Sequence, residues 1–417
     1  SRCELCIAKP AHGVARLMEP VARMGGLSSA PCPRRSHEGP SNGAPCPIFT
    51  GTSSPSGERP HYMCECHVTH NIFVRDVGMH FEYCGDDDEF ERRYADALPS
   101  RGGCPSLADV LADVKAQRDK RLRAPGAAQS RAERIQQSYE RLHDEVFALD
   151  PRRHFASAFL EVSAAFGACG TGPAQVAACL RGLRDRGLLE ELRPGLWTCK
   201  VLTEAYCDLL EAELKHFAAS GLPKTAPNTM NRHGVILSEL GFGPKMVDPL
   251  VYEYVDPIAK RLLPLHCEGL DSYRAFTVLY DAAEDGDREL ALHYDNAEVT
   301  LNVNIGGDWE GGQVAFYGLA TEREDCSLAR EVVLRRGHGV LHAGLDLHKA
   351  LPITAGRRHN LIVWCRSSPV RNHRCPMCFQ QPRLAATNCY GDEGFRVPDC
   401  HWSATALAEG ADDDLYS

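Results

Sequence analysis

The 417-residue chain has no run approaching the roughly 18 uncharged apolar residues of a membrane-spanning helix, so a spanning segment is not expected. It also lacks an excess of basic residues. Lys and Arg number 46 against 56 Asp and Glu, and a net charge of −10 gives no general attraction to phosphate backbones or anionic lipid. Nucleic-acid binding is therefore not suggested. No internal repeat of about 20 to 50 residues is present, which argues against a solenoid or propeller. A basic-then-apolar signal segment is missing as well, although a chain that starts at Ser1 need not start at its natural terminus. What is abundant is cysteine, at 19 residues. The count is odd and the spacings irregular, so a complete disulfide framework would leave one thiol over. Reduced thiols with some metal binding fit better, and a reducing compartment is expected.

The 43% apolar content is enough for a sizeable core, and the length suggests two or three units. Residues 1–60 are dense in Pro, Gly and Ser, bury too little to offset ordering entropy, and read as a disordered tail. Cys3 and Cys6 in that tail have no second close pair and read as free cysteines. Residues 61–200 read as a mixed, mainly helical region that begins with short extended segments. Ser106 caps a helix with Leu107, Val110, Leu111 and Val114 on one face, and Ile135, Tyr139, Leu142 and Val146 repeat the spacing. Val176, Leu180 and Leu183 mark a third helix, with Gly187 placed for a left-handed cap. Residues 201–270 predict helices that pack on a β barrel: one opened by Thr203, another started by Asp248-Pro249.

Beyond Tyr273 the apolar period changes from helical to two. The runs Ala275 to Leu279, Val299 to Ile305, Val314 to Phe316, Val332 to Leu334 and Leu361 to Val363 alternate with other neighbours, punctuated near Asp285, Gly306 and Gly311. Several short strands with such turns predict an antiparallel barrel or jelly roll over 271–368. The fold class is thus α+β. A Cys-rich segment, 369–417, comes last and ends in a solvated acidic stretch.

The chemistry concentrates in the β region. His293 and Asp295 are separated by one residue, so on a strand they share a face. With His348 from a neighbouring strand they offer two imidazoles and one carboxylate to one side of a metal. The open side is what non-heme Fe(II) oxygenases need, whereas structural zinc is closed by four ligands. An H-x-D motif alone is weak, because 18 His and many Asp produce it by chance and a surface turn would explain it. Arg358 strengthens the reading. It lies ten residues after His348, follows Gly356 and precedes an apolar run, so a turn near Gly356 would fold its strand back beside His348. A guanidinium there clamps the far end of a dicarboxylate bidentately, and without an anion its burial would be costly. His338, His342 and His359 compete for the distal ligand position. His359 points to the opposite face from Arg358. His342 shares the parity of His348 but lies before the Gly344 break.

The segments His293 to Asn304, Trp309 to Gly312, His348 with Pro352, and Gly356 to Arg358 resemble Fe(II)/2-oxoglutarate dioxygenases of the prolyl and lysyl hydroxylase type. More closely, Pro227 to Asn231, Ser272 to Phe276 and Val370 to Cys378 are similar to the 2-oxoglutarate and iron-dependent oxygenase domain-containing protein 2 family. The likeness runs from about Tyr62 to Cys378 and is firm after Pro227. It implies a double-stranded β-helix with iron held by His293, Asp295 and His348. It also implies Arg358 on the distal carboxylate of 2-oxoglutarate, Tyr280 beside it, and Asn304 facing the cavity, although alternation alone leaves the polar face of Thr300, Asn302 and Asn304 either inside or solvated. The implied reaction is O2-dependent decarboxylation of 2-oxoglutarate to succinate and CO2, coupled to hydroxylation of an unidentified substrate, for which a protein side chain is one candidate. Ascorbate dependence is implied by the family type alone. Asp295 disfavours the halogenase variant, which needs that position free.

Cys375 and Cys378 form a C-x-x-C, with Cys389 and Cys400 downstream. Structural zinc on these four is one reading and a redox pair another; free or buried thiols are expected. Cys64 and Cys66 read as strand residues rather than ligands. Two rival functions stay open: a catalytically inactive metal-binding interaction protein with a Cys-rich tail, and a zinc hydrolase on a cupin-like barrel, in which Arg358 has no evident task.

Overall fold

The computed structural model describes residues 61–98, 105–123, 127–283, 285–321, 329–382 and 384–387. The expected N-terminal tail, Cys389 and Cys400 lie outside them. The described chain opens on β1 (His61–Cys64), a hairpin of β2 (Ile72–Val74) and β3 (Met79–Phe81), and the helices α1 (Asp87–Tyr94) and α2 (Leu107–Arg123). Their apolar faces make a separate small core of Ile72, Phe81, Phe90, Tyr94, Val110 and Val114. The Asp86 carboxylate caps α1 by accepting from Glu89 N.

Helix α3 (Ala127–Ser138) is shorter than the sequence spacing predicts. Instead of continuing through Leu142 and Val146, the chain turns, and Leu142 is left exposed. The reason is Glu213, fully buried on a later helix. Its carboxylate accepts from Tyr139 Oη at 2.6 Å, Leu142 N at 3.2 Å and His143 N at 2.7 Å, offering the freed backbone donors a better partner than another helical turn. After α4 (Ser157–Ala168) and α5 (Pro173–Asp185), with Gly187 at φ +66° just beyond, come β4 (Glu190–Arg193) and β5 (Leu196–Lys200). The long helix α6 (Glu204–Ala219) starts at Thr203, whose hydroxyl accepts from Tyr206 N. Asp248 does not cap a helix. It is already helical, between wide i→i+5 turns over Gly243–Val247 and Leu250–Val255 that run into α7 (Asp256–Leu262), and its carboxylate accepts from the Tyr273 hydroxyl.

The remainder is a double-stranded β-helix. The strands are β6 (Ser272–Asp281), β7 (Leu290–His293), β8 (Val299–Gly306), β9 (Trp309–Gly311), β10 (Val314–Leu319), β11 (Arg330–Val332), β12 (His338–Ala343), β13 (Asp346–Ala350) and β14 (Ile353–Arg366). One sheet runs β4-β5-β12-β8-β14-β6, with β9 also on β14; the facing sheet runs β11-β10-β13-β7, and all these pairs are antiparallel. Strand β8 is buried on both faces. Val299, Leu301, Val303 and Ile305 join the main core with the apolar faces of α4, α6 and α7, so the polar face of Thr300, Asn302 and Asn304 is turned into the barrel. That settles the alternative that alternation leaves open. Inside, Phe276, Val278, Ala350, Ile353 and Ile362 pack between the sheets. A last strand, β15 (Leu384–Thr387), pairs with β1. Among the described residues no helix is long and apolar enough to cross a membrane.

Candidate active site

Strands β7 and β13 are antiparallel neighbours, and their register sets His293 directly opposite His348, with ring centroids 4.2 Å apart. His293 is the last residue of β7, so Asp295 lies just past the strand and shared strand parity is not what brings it in. The backbone does this: Asp295 N donates to Gly344 O at 2.8 Å, curling the chain back over the barrel mouth. A Cβ on Gly344 would stand 1.9 Å from Ala297 O, so that approach requires glycine. Asp295 Oδ1 then lies 3.6 Å from His293 Nε2 and 3.8 Å from His348 Nε2, and the three donor atoms fall within 4.8 Å of one another.

The protonation pattern suits a cation. His293 Nδ1–H donates to Ala291 O at 2.9 Å and His348 Nδ1–H to Asp346 O at 2.7 Å, which leaves both Nε2 lone pairs facing Asp295. Burial, joined for His293 by the His348 ring, pushes both imidazoles down to about 4, so both are neutral near pH 7. Burial pushes the Asp295 carboxyl up, opposed by His293, by Thr300, whose hydroxyl donates to Oδ2 at 2.6 Å, and by Trp364. Two neutral imidazoles and one buried carboxylate converging on a point, with no cationic side chain between them, are the donor set of a divalent metal with an open face. Iron(II) fits these residues. His342 is not part of the group. It is fully buried behind His348, ring centroids 5.1 Å apart, with Nδ1–H donating to Ala343 O.

A cavity opens from this point, lined by Asp295, Thr300, Asn302, Asn360 and, at its other end, Tyr280 and Arg358. Arg358 is 3% exposed, and no described carboxylate pairs with it. Its guanidinium lies 4.4 Å from the centre of the Tyr280 ring, and burial pulls its pKa down against the opposing pull of Tyr280. The Arg358 strand does not fold back beside His348, contrary to expectation. The reversal occurs at Leu351-Pro352, and β14 crosses to the other sheet, where Arg358 pairs with Tyr280 of β6. Gly356, at φ +72°, lies against Asp308 and Trp309 within the β9 pairing. Arg358 and His348 thus face one cavity from opposite sheets. Gly312, beside Arg358, takes φ +67°, a left-handed backbone that favours glycine.

Asn304 sits one layer away from the position the resemblance implies. It is fully buried, but Asn302 and Asn360 are the residues that line the cavity. Asn304 Nδ2 donates to Asn360 Oδ1 at 3.1 Å, and Asn360 Nδ2 donates to Asn302 Oδ1 at 2.7 Å, a buried amide chain that fixes the wall from behind. His359 faces away from this cavity, toward the outer surface near Lys215. Sequence reasoning gives no role to Asn228 and Asn231. Asn228 Oδ1 accepts from the N–H groups of Met230 and Asn231, and both side chains line the inner cavity. Arg274 Nη2 donates to Pro227 O at 2.6 Å, which ties together two of the segments that carry the family resemblance.

A second space adjoins the first, sharing Asn228, Leu290, His293 and Trp364 with it. Its far wall comes from parts of the chain with no sequence signal for it: Asn71, His80 and Arg121 from the N-terminal unit and Met377 from the C-terminal C-x-x-C. Of the C-terminal cysteines, only Cys375 and Cys378 lie among the described residues. Cys375 and Cys378 converge with Cys64 and Cys66, which read in sequence as mere strand residues.

The chain is similar to known proteins in sequence. Residues 135–268 match the model of the OGFOD2-like domain. The 2-oxoglutarate and iron-dependent oxygenase domain-containing protein 2 of Xenopus tropicalis is 37% identical over 337 residues, 80% of this chain and 93% of the relative. The Homo sapiens protein of the same description is 38% identical over 336 residues, 79% and 92% of the two chains. Among solved structures, a Pseudomonas putida prolyl-4-hydroxylase aligns with 46% of this chain and 98% of its own, at 18% identity and a TM-score of 0.31.

Proposed function

Because the chain belongs to the 2-oxoglutarate and iron-dependent oxygenase domain-containing protein 2 family, we propose that it is a working Fe(II)- and 2-oxoglutarate-dependent dioxygenase that hydroxylates its substrate. The observation that carries the proposal is the pairing of an open-faced His293, Asp295, His348 donor set with a buried guanidinium that has no carboxylate partner among the described residues, both facing one cavity.

When bound, iron and 2-oxoglutarate supply the oxidising chemistry, with succinate and CO2 as co-products. The chain's own residues do the rest. His293 and His348 present neutral Nε2 atoms, and Thr300 fixes which oxygen of Asp295 faces the metal. Arg358 binds the far carboxylate of 2-oxoglutarate, with the charge-assisted geometry of a guanidinium fork. Tyr280 fixes the guanidinium plane and closes that end of the cavity. The apolar residues Phe276, Val278 and Ile362 exclude water from the cavity, which strengthens the interactions within it.

The substrate enters through the outer space, whose lining holds amides, apolar groups and two arginines but no carboxylate. Its composition fits a polypeptide side chain presented with its flanking backbone. Ascorbate, implied by the family type, serves to keep the iron reduced. Buried apolar thiols such as Cys207 and Cys365 pack as small hydrophobes, which fits a reducing compartment. The test is 2-oxoglutarate turnover. Purified iron-loaded protein is expected to form succinate, and His293→Ala to form none above background. An equal, iron-independent background in both would favour a metal-binding interaction protein.

A further inference from the structure

The four cysteine sulfurs on the outer wall of the groove have no part in the proposed reaction. Cys64 closes β1 and Cys66 lies in the single 3-10 turn after it, Glu65–Val68. Cys375 and Cys378 stand on a tight turn in which Phe379 N donates to Cys375 O and Cys375 N to Gln380 O, both at 2.8 Å. Phe379 takes φ +56° to make that turn. The two segments are more than 300 residues apart in sequence, yet Cys66 Sγ lies 3.6 Å from Cys375 Sγ and Cys64 Sγ 3.9 Å from Cys378 Sγ, and all four sulfurs fall within 4.8 Å of one another.

Those distances select one chemistry. Disulfide sulfurs stand about 2.05 Å apart, so neither close pair is bonded. Four thiolates at about 2.3 Å from a tetrahedral zinc are about 3.8 Å apart along each edge. The 3.6 Å and 3.9 Å separations bracket that value. Cys66 and Cys375 are buried, Cys375 at 1% exposure, Cys64 and Cys378 are half-buried, and four sulfurs drawn together from two distant segments are poorly explained by packing alone. With four protein donors no position remains open, which makes the site structural.

We propose that Cys64, Cys66, Cys375 and Cys378 bind a zinc ion in a closed tetrathiolate site, and that this site clamps the two distant segments together to build the outer wall of the catalytic groove. The wall follows from the contacts around it. Asn71, five residues after Cys66, donates from Nδ2 to Met377 O at 3.2 Å and to the hydroxyl of Tyr294 at 3.3 Å. Tyr294 stands between His293 and Asp295, and its ring centre is 5.8 Å from that of Phe379. Arg121 holds the same loop by donating to the carbonyls of His67, His70 and Asn71. Asn71, Met377 and Tyr294 all line the outer space. The backbone pairing of β1 with β15 adds to the clamp but does not reach the groove.

The experiment uses the full chain, expressed with zinc and purified. Elemental analysis is expected to give one zinc per chain that survives dialysis against a chelator able to strip the open His293, Asp295, His348 site. An organomercurial titration is expected to release that zinc as four thiols react. Cobalt substitution is expected to give the thiolate charge-transfer and tetrahedral ligand-field bands of a four-sulfur site. His293→Ala is expected to keep the zinc, and the double variant Cys375→Ser/Cys378→Ser to lose it. If the double variant does not fold, the titration and the cobalt spectrum of the wild-type chain decide the metal assignment. Hydrogen exchange of the zinc-stripped wild-type chain tests the clamp: residues 62–74 and 370–381 are expected to lose protection together while β8 and β14 keep theirs. Zinc absent with four reactive thiols, disulfides found by mass spectrometry, or zinc lost on His293→Ala would overturn the site. Bound zinc whose removal leaves both segments protected would overturn the clamp.

Discussion

Replacing Arg358 by Met separates a ligand-binding cation from a merely structural one. In the ligand-free protein the guanidinium is 3% exposed and 4.4 Å from the Tyr280 ring centre, with no carboxylate partner among the described residues, and burial already pulls its pKa down. An uncompensated buried charge costs several kcal/mol, so a flexible apolar side chain of similar length should leave the stability of the ligand-free protein unchanged or raise it. Binding should respond in the opposite direction. Truncating one partner of a buried, hydrogen-bonded charge pair costs about 2–5 kcal/mol, and at about 1.4 kcal/mol per tenfold this weakens 2-oxoglutarate binding by about 30- to 4,000-fold. Arg358→Lys keeps the charge but not the planar fork and should fall between. Isothermal calorimetry of 2-oxoglutarate on the metal-loaded protein, with thermal unfolding with and without 2-oxoglutarate, reads both quantities. The expected pattern is an unfolding midpoint for ligand-free Arg358→Met at or above that of the parent, with the shift on adding 2-oxoglutarate lost. A variant that binds 2-oxoglutarate as tightly as the parent, or whose ligand-free form is strongly destabilised, would refute the assignment.

Thr300→Val removes the 2.6 Å hydrogen bond that orients Asp295 and leaves the shape nearly intact, so iron affinity measured by competition with a chelator should fall about 10- to 100-fold; an unchanged affinity would remove Thr300 from the site. His359, buried on the outer side of β14, is pushed by burial from 6.5 down to about 4. The unfolded chain therefore takes up a proton that the folded chain refuses: this group imposes no penalty above about pH 6.5 and costs up to about 3 kcal/mol as pH falls toward 4. Denaturant titrations at several pH values should show His359→Leu losing less stability than the parent across that window, and parallel profiles would contradict the argument.

The chemical core of the site is legible in the chain because it rests on side-chain type and local pattern. The H-x-D motif, a later His and an Arg before an apolar run name His293, Asp295, His348 and Arg358, and the resemblance adds Tyr280. The routes by which these residues meet are less legible. Parity suggests that His293 and Asp295 share a strand face, but the Gly344 contact brings Asp295 in from a loop. Proximity in sequence suggests that Arg358 returns beside His348, whereas β14 leaves the sheet of β13 for the facing one and carries Arg358 to Tyr280. Alternation fixes the face of a residue but not its depth, so it does not distinguish Asn304, which lies behind the wall, from Asn302, which lines the cavity with Asn360. Helix α3 stops early because a carboxylate some 70 residues away takes its backbone donors, which no local propensity reports. The cysteine quartet escapes the spacing rules because its two halves are more than 300 residues apart. Those rules detect only pairs that are close in sequence.

The most direct measurement of the central claim is the stoichiometry of 2-oxoglutarate consumption and succinate release by anaerobically iron-loaded protein on addition of O2, beside Asp295→Ala. The account predicts succinate formed in equal amount to the 2-oxoglutarate consumed, dependent on Fe(II), and abolished in the variant. Succinate that fails to appear in the parent protein when iron and 2-oxoglutarate are both bound, or that forms equally without Asp295, would contradict it.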